Sequence, residues 1–293
     1  MNSQLLLEVK GLKTYFHTDD GIIKAVDGVS FTIERGETLG IVGESGCGKS
    51  VMAQSLMQLV SRPHGRVEAG EILYRLSNGV EVDIAQMAHN SKEIRSIRGS
   101  EIAMIFQEPM ISLNPVQTIG QQIMEMISQH NPSKPKSQVR NRAIEMLGQV
   151  GIADPHVKVD QYPHEFSGGM RQRAIIAMAL SCSPNLLIAD EPTTALDVTV
   201  EAQILELMKD LQSDLGMSIM IITHDLGVIG EMADKVIVMY AGKIMEQAVT
   251  SVLFERPTHP YTIGLLNSRP SIGRKESLRP IEGTVPDMRY LPE

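Results

Sequence analysis

The segment Gly43–Ser50 reads GESGCGKS and has the residue types and spacing of a loop that holds phosphate groups. Its glycines let the backbone wrap closely, so that successive N–H groups point at an anion while the following helix adds its positive end. The lysine would reach the β- and γ-phosphates of ATP, and the serine hydroxyl would bind Mg²⁺. A coincidental glycine-rich turn is less favoured, because a strand pattern precedes the loop and a helix pattern follows it. The predicted ATP-binding residues are Gly43, Glu44, Ser45, Gly46, Cys47, Gly48, Lys49, Ser50 and Val51.

Two adjacent carboxylates, Asp190 and Glu191, follow the apolar run Leu186–Ala189, which is typical of a buried strand. The carboxyl ends of parallel strands are where α/β sheets bind ligands. In a chain with a phosphate-binding loop, Asp190 could hold Mg²⁺ through water. Glu191 could then accept a proton from the attacking water or orient it. An ordinary acidic turn before Pro192 is the alternative.

Ser167, Gly168 and Gly169 precede a helical pattern over Met170–Cys182, so the exposed amides at the helix start would form a second anion site. One chain does not need two such sites for one phosphate group. The sequence therefore suggests that this second site serves ATP held by another subunit. A capped helix start is the alternative if the segment is taken alone.

With these motifs in chain order, the sequence resembles the ATP-binding-cassette (ABC) ATPase subunits over essentially its whole length. Residues 166–173 match the signature motif of that family, with Phe166 in place of the usual leucine and Met170 in place of the usual glutamine. The resemblance implies a nucleotide sandwich dimer, in which the signature residues of one subunit close over ATP on the P-loop of the other. The implied trans signature site consists of Ser167, Gly168, Gly169 and Met170.

The same resemblance assigns three further positions. Gln107 matches the Q-loop glutamine, which touches Mg²⁺ and the nucleophilic water and links hydrolysis to the membrane partner. Ala195-Leu196-Asp197 matches the D-loop, and His224 matches the switch histidine that contacts the γ-phosphate. Taken alone, a histidine after a strand would more often be structural. The implied catalytic residues are Glu191, His224 and Gln107, and the implied Mg²⁺ ligands are Ser50, Gln107 and Asp190.

An aromatic side chain near the end of the first strand stacks on adenine in this family. Tyr15 and Phe16 both lie there, and the spacing from Gly11 slightly favours Phe16. Either ring could instead belong to the core. We therefore expect Phe16 to be the adenine platform and keep Tyr15 as the alternative.

Within the family, four segments look like the branch that powers import of dipeptides, oligopeptides or nickel: residues 24–31, 107–115, 162–165 and 256–262. The last contains the His-Pro-Tyr motif of that branch, although its proline and polar residues alone would indicate a solvated linker. The resemblance implies an ATP-hydrolysing subunit that couples a sandwich dimer to peptide uptake across the cell membrane. Nickel import is the alternative, and a soluble ABC ATPase of DNA repair or translation is less favoured.

The partners implied by the resemblance are a second ABC ATPase subunit, two transmembrane permease subunits and, indirectly, an extracytoplasmic solute-binding protein. A heterodimer of ATPase chains is expected, with a homodimer in isolation as the alternative. The net charge of −8 argues against nucleic acid as a partner. No apolar run approaches the roughly 20 residues that span a bilayer, so another chain would have to hold the protein at a membrane. The resemblance implies a peripheral location on the cytoplasmic side of the cell membrane.

Cofactor expectations are ATP and Mg²⁺. Members of this branch often carry a cysteine-rich tail, which some use for an iron–sulfur cluster. This 293-residue chain has two cysteines, Cys47 and Cys182, and is not expected to build a Cys-ligated cluster in its C-terminal tail.

The elements that must position these residues follow an α/β rhythm, with strand patterns before the P-loop, before Asp190 and before His224. The sequence predicts a P-loop NTPase (RecA-like) core with a mainly parallel sheet, an N-terminal antiparallel β-subdomain and a helical lobe that carries the signature motif. Ser137 is the predicted N-cap of a helix in that lobe. The expected domains are 1–255, with the helical lobe inserted at about 108–182, and a C-terminal extension over 256–293.

Overall fold

In a computed structural model of the protein, the described residues are 4–107, 112–194, 196–268 and 286–290. Ala195 of the predicted D-loop and residues 108–111 of the Q-loop segment lie outside them, as do residues 269–285 of the extension. The chain divides into two compact units, one formed by residues 1–89 and 222–293 and the other by residues 90–221.

Strands and helices alternate along much of the described chain. The strands are β1 (Leu5–Thr18), β2 (Gly21–Glu34), β3 (Thr38–Val42), β4 (Gly65–Arg75), β5 (Glu81–Asp83), β6 (Ile102–Ile105), β7 (Leu186–Asp190), β8 (Ser218–Ile222), β9 (Lys235–Tyr240) and β10 (Lys243–Val249). The helices are α1 (Lys49–Leu56), α2 (Lys92–Ile97), α3 (Ile119–His130), α4 (Lys136–Gln149), α5 (Pro155–Lys158), α6 (Gly168–Leu180), α7 (Val198–Leu215), α8 (Leu226–Met232), α9 (Thr250–Glu255) and α10 (Pro260–Asn267). Short 3₁₀ turns cover Ile84–Gln86 and Pro163–Glu165.

An antiparallel sheet in the order β2-β1-β4-β5 lies in the first unit. Along β2, the apolar residues Val29, Phe31 and Ile33 are buried while Ser30 and Thr32 between them are exposed. This period of two places one face of the strand against the core. The predicted N-terminal antiparallel β-subdomain is confirmed.

Parallel strands form the core of both units. In the first unit β3 pairs in parallel with β9, which pairs with the antiparallel edge strand β10. In the second unit the order is β8-β7-β6, and β6 pairs in parallel with β7. All five residues of both β3 and β7 are buried, as strands covered on both faces require. The mainly parallel α/β core is therefore confirmed.

The second unit also contains the predicted helices before the signature motif, α3 to α5. The start of α3 is closed by a capping box in which Thr118 and Gln121 satisfy each other's backbone N–H groups. The predicted N-cap at Ser137 is wrong, because α4 already begins at Lys136. Pro135 occupies the cap position with φ −59°, a value that a helix start accepts without any side-chain hydrogen bond.

The C-terminal extension continues as regular structure beyond residue 256. Pro260 stands at the first helical position of α10, where its missing N–H costs nothing. The Nδ1 atom of His259 accepts a hydrogen bond from the Tyr261 N–H at 3.1 Å and caps the same helix. A solvated linker therefore does not describe residues 260–267. Among the helices in the described ranges, none is both long and apolar enough to cross a membrane.

Candidate active site

The P-loop leaves the buried strand β3 at Gly43 and enters α1 at Lys49. Two of its glycines are pressed against neighbouring backbone. A Cβ atom on Gly43 would lie 2.2 Å from the Met239 carbonyl oxygen of β9, and one on Gly48 would lie 2.1 Å from the Ala25 carbonyl oxygen of β2. Gly48 also has φ +103°, which side chains rarely adopt. Only glycine at these positions lets the loop sit against both strands.

Lys49 turns its ammonium group back onto the loop. Its Nζ donates hydrogen bonds to the carbonyl oxygens of Gly43 at 2.7 Å and Glu44 at 2.9 Å, and the residue is 5% exposed. A positive charge is therefore held at the N-terminus of α1, where the helix dipole also favours an anion. Ser50 follows it and is half-buried.

Cys47 points its thiol into the protein. The residue is 1% exposed, and its Sγ lies 3.8 Å from the Lys49 ammonium. Burial raises the pKa of the thiol, although the nearby lysine acts in the opposite direction. The thiol therefore stays protonated at neutral pH and adds no negative charge to the loop. The Cys47 N–H donates to the Glu44 carbonyl oxygen at 3.3 Å.

His224 lies in the short turn between β8 and α8, in the same unit as the P-loop. The Thr223 N–H just before it donates to the Ile41 carbonyl at 3.2 Å. Ile41 belongs to β3, the strand that leads into the P-loop, so one strand anchors both features. His224 itself is exposed.

The two aromatic candidates of β1 have different surroundings. Burial, together with a 2.6 Å hydrogen bond from its hydroxyl to the Asp27 carboxylate, raises the pKa of Tyr15 to about 12. The ring of Phe16 lies beside Gly65, where an added Cβ would come within 2.6 Å of it. Tyr15 pairs with Arg66 of β4 and Phe16 with Gly65, so the two rings have different neighbours.

Glu191 and Gln107 follow neighbouring parallel strands of the second unit. Ile105 of β6 pairs with Ala189 of β7, and the predicted residues stand two positions beyond each partner. The carboxyl ends of these strands therefore bring Gln107, Asp190 and Glu191 to the same edge of the sheet. Asp190 is 2% exposed, whereas Gln107 is exposed.

Glu191 has a positive φ of +50°, an uncommon conformation for a residue with a side chain. Such backbone strain of order 1–3 kcal/mol is concentrated at functional sites. The Thr194 hydroxyl donates to its carboxylate at 3.0 Å. The turn after β7 thus holds this carboxylate at a defined position.

The signature residues surround an open cavity of about 390 Å³ in the second unit. Ser167 caps α6, its hydroxyl oxygen accepting a hydrogen bond from the Met170 N–H at 3.3 Å. Asp197 of the predicted D-loop caps α7 in the same way through the Val200 N–H at 3.0 Å. The structure therefore brings the signature and D-loop positions to one cavity. Its lining includes Ser167, Gly168, Gly169, Met170, Leu196, Asp197 and Val200.

The two departures from the usual signature motif do not disturb this arrangement. Phe166 is 3% exposed and packs as an apolar core residue. Met170 contributes to the wall of the cavity and offers the backbone N–H that Ser167 accepts.

Gln172 connects the signature helix to the turn after β7, a role that the sequence did not reveal. It is 1% exposed, and its side-chain amide donates to the carbonyl oxygen of Pro192, next to Glu191. The sequence indicates the burial of Gln172 but not its partner: Gln172 shares a helix face with Ile175 and Ile176, so a polar group is buried among apolar ones.

Replacing Gln172 with leucine is expected to lower the free energy of unfolding by about 1–3 kcal/mol, because the buried Pro192 carbonyl loses its donor. Denaturant unfolding of the full chain measures this loss. The matched control is Gln129→Leu, the same change at an exposed position of α3, which should alter stability by less than about 0.5 kcal/mol. Equal stability of the two variants would contradict the role given to Gln172.

Comparison with known families gives two matches along the chain. Residues 26–194 match the family described as ABC transporter, and residues 245–293 match the oligopeptide/dipeptide transporter C-terminal region. The first match contains the P-loop, the signature motif and the carboxylates Asp190 and Glu191 at the end of β7, and the second contains α10.

Curated relatives share about half of their residues with this chain. It is 51% identical to a probable peptide ABC transporter ATP-binding protein, y4tR of Sinorhizobium fredii, over 98% of this chain and 84% of that protein. It is 51% identical to the oligopeptide transport ATP-binding protein OppD of Bacillus subtilis, over 98% of this chain and 79% of OppD. It is 50% identical to the dipeptide transport ATP-binding protein DppD of the same organism, over 97% of this chain and 82% of DppD.

Solved structures share the fold. One is the ATP-binding cassette MJ0796, a dimer in a post-hydrolysis state with ADP and Pi, which has a TM-score of 0.71 and 26% identity over 83% of this chain and 98% of its own. Another is cbiO1 from Clostridium perfringens, part of an ABC transporter complex, with a TM-score of 0.71 and 30% identity over 87% and 92%. With a family match over more than half of its length and relatives at half identity, the chain belongs to the ABC transporter family and is one of its ATPase subunits.

Proposed function

We propose that this ATPase powers the uptake of dipeptides or oligopeptides. The observation that carries the proposal is the match of residues 245–293 to the oligopeptide/dipeptide transporter C-terminal region. Relatives named for peptide transport, at about 50% identity over nearly the whole chain, support it. Residues 1–255 would then form the nucleotide-binding domain and residues 256–293 an extension that marks the branch.

We assign the phosphates of ATP to the P-loop of residues 43–51. The Lys49 ammonium would exchange its bonds to the Gly43 and Glu44 carbonyls for the β- and γ-phosphates, at no cost in buried unpaired charge. Phe16 is the preferred partner for adenine on its spacing from Gly11, and Tyr15 is the alternative. His224 would contact the γ-phosphate from the turn beside β3.

Three residues are proposed to hold Mg²⁺: Ser50, Gln107 and Asp190. A hydroxyl, an amide oxygen and a carboxylate are the hard oxygen ligands that this ion prefers, and it commonly takes only a few ligands from protein, together with substrate phosphates. Bound Mg²⁺ would neutralise charge on the phosphates. Glu191 would orient the attacking water and accept its proton, with Gln107 beside it at the same sheet edge.

A second ATPase chain would complete the site. The cavity lined by Ser167, Gly169 and Asp197 is open and offers the helix start of α6, which suits an anion presented by a partner. The dimeric form of MJ0796 is consistent with such a pair. We propose a heterodimer in the assembled transporter, bound to two permease subunits on the cytoplasmic side of the membrane and served by a solute-binding protein.

The test is ATP hydrolysis by the assembled complex in lipid vesicles, with binding protein and candidate solutes added. Dipeptides or oligopeptides are expected to raise the hydrolysis rate several-fold and to accumulate inside the vesicles, while Ni²⁺ should do neither. A response to Ni²⁺ without any response to peptides would transfer the proposal to nickel import. A complex that forms without permease subunits and binds nucleic acid would overturn it.

A further inference from the structure

Tyr261 of the His-Pro-Tyr motif reaches the nucleotide-binding loop. Its hydroxyl oxygen accepts a hydrogen bond from the backbone N–H of Glu44 at 3.3 Å. The residue is 9% exposed, and its ring packs on that of Tyr240 at the end of β9, with 4.6 Å between the ring centroids. The C-terminal extension therefore touches the second residue of the P-loop directly.

A carboxylate on β10 holds the extension in this position. Glu246 accepts hydrogen bonds from the Thr258 N–H and hydroxyl, both at 2.8 Å, and from the His259 N–H at 3.1 Å. Burial acts to raise the pKa of Glu246, but the hydrogen bonds from the docked segment outweigh it and hold the pKa at about 2. The carboxylate thus stays charged and bonded at neutral pH.

The contacts of Tyr261 and Lys49 converge on the same short piece of backbone. The Lys49 ammonium binds the carbonyl oxygens of Gly43 and Glu44, while Tyr261 binds the N–H of Glu44. Gly43 in turn lies against the Met239 carbonyl of β9, one residue before Tyr240. The start of the loop is therefore held from the strand side and from the extension side.

We propose that Tyr261 is a positioning residue for ATP binding: its hydroxyl fixes the Glu44 amide, so that the docked C-terminal extension sets the nucleotide affinity of the P-loop. The inference rests on the proposed function, since it takes residues 43–51 as the ATP site. A loop already held in its binding shape loses less conformational freedom when the ligand arrives, which strengthens binding. No contact between Tyr261 and the nucleotide is required.

The test is Tyr261→Phe in the full chain, which removes the hydroxyl and keeps the ring. Titration with a fluorescent ATP analogue and Mg²⁺ should show a Kd about 2- to 10-fold weaker than wild type, the range that one lost hydrogen bond gives. Without nucleotide, the midpoint temperature of thermal unfolding should stay close to that of wild type. The matched control, Tyr240→Phe, removes a hydroxyl from the neighbouring ring and should bind like wild type.

A second variant tests the docking of the extension separately from the Tyr261 hydroxyl. Glu246→Gln keeps the size of the side chain but weakens the docking of residues 258–259, and it should weaken binding in the same direction as Tyr261→Phe. Unchanged affinity in Tyr261→Phe, or an equal loss in Tyr240→Phe, would overturn the inference. Lys49→Ala distinguishes a failure of the ATP-site assignment from a failure of the inference about Tyr261. If Lys49→Ala binds ATP as tightly as wild type, the assignment of the ATP site fails. If Lys49→Ala loses ATP binding while Tyr261→Phe does not, only the inference about Tyr261 fails.

Discussion

Glu191→Gln is expected to lower the rate of ATP hydrolysis by at least about 100-fold while ATP remains bound, because general-base catalysis contributes about 10²–10⁴-fold. Glutamine has the size of glutamate and accepts the same Thr194 hydroxyl bond, but it does not take a proton from water. The phosphate contacts of the P-loop are not touched by the change. The variant should therefore bind ATP and stop before the chemical step.

The variant is also expected to accumulate a closed dimer, since in the proposed dimer ATP joins each P-loop to the signature site of the partner and would no longer be consumed. Size-exclusion chromatography with ATP and Mg²⁺, beside steady-state phosphate release, measures both effects. Glu206→Gln makes the same change at an exposed position of α7 and should hydrolyse ATP at the wild-type rate. Undiminished hydrolysis in Glu191→Gln would remove Glu191 from its proposed role.

Lys49→Ala is expected to weaken ATP binding by about 100-fold or more. Hydrogen bonds to charged groups contribute about 1.5–3 kcal/mol each, and the proposed contacts join one ammonium to two phosphates. The change also removes the two bonds that tie the ammonium to the Gly43 and Glu44 carbonyls. Equilibrium titration with a fluorescent ATP analogue measures the loss.

Lys243→Ala, at an exposed position of β10, is the charge-matched control and should bind ATP like wild type. Since both variants lose one positive charge, a general electrostatic effect on an anionic ligand would appear in both. Equal ATP affinity in Lys49→Ala and Lys243→Ala would contradict the assignment of Lys49. Comparison with Glu191→Gln then separates ATP binding, the proposed role of Lys49, from the chemical step, the proposed role of Glu191.

The strand–loop–helix segment that contains the P-loop could be predicted because its parts are adjacent in the sequence. β3, the glycine turn and α1 follow one another within 19 residues, 38–56, and each is specified by apolar spacing or by glycine at a fixed position. The same holds for β7 with its carboxylates and for the helix start at Ser167. Local patterns also gave a wrong result at Ser137, where the proline before the helix set its start and made a side-chain cap unnecessary.

Other features depend on which distant segments meet. Gln172 and Pro192 are 20 residues apart and joined by one hydrogen bond, and Tyr261 contacts Glu44 across 217 residues of chain. No spacing rule relates such pairs, because their proximity arises from the packing of whole strands and helices. The inward orientation of the Cys47 thiol is of the same kind, since β9 and α1 decide which side of the loop is covered.

By itself, the sequence determined the α/β core, the P-loop, the carboxylates at the end of β7 and the signature motif, because each is a short pattern whose chemistry follows from residue type and spacing. The tertiary structure decided which motifs share a surface: signature with D-loop, Gln107 with Glu191, and the His-Pro-Tyr segment with the P-loop. The physical reason is that hydrogen bonds and packing act over a few ångströms, while the residues that form them are separated by tens or hundreds of positions. The role proposed for Tyr261 depends in the same way on a contact between segments that are 217 residues apart in the chain.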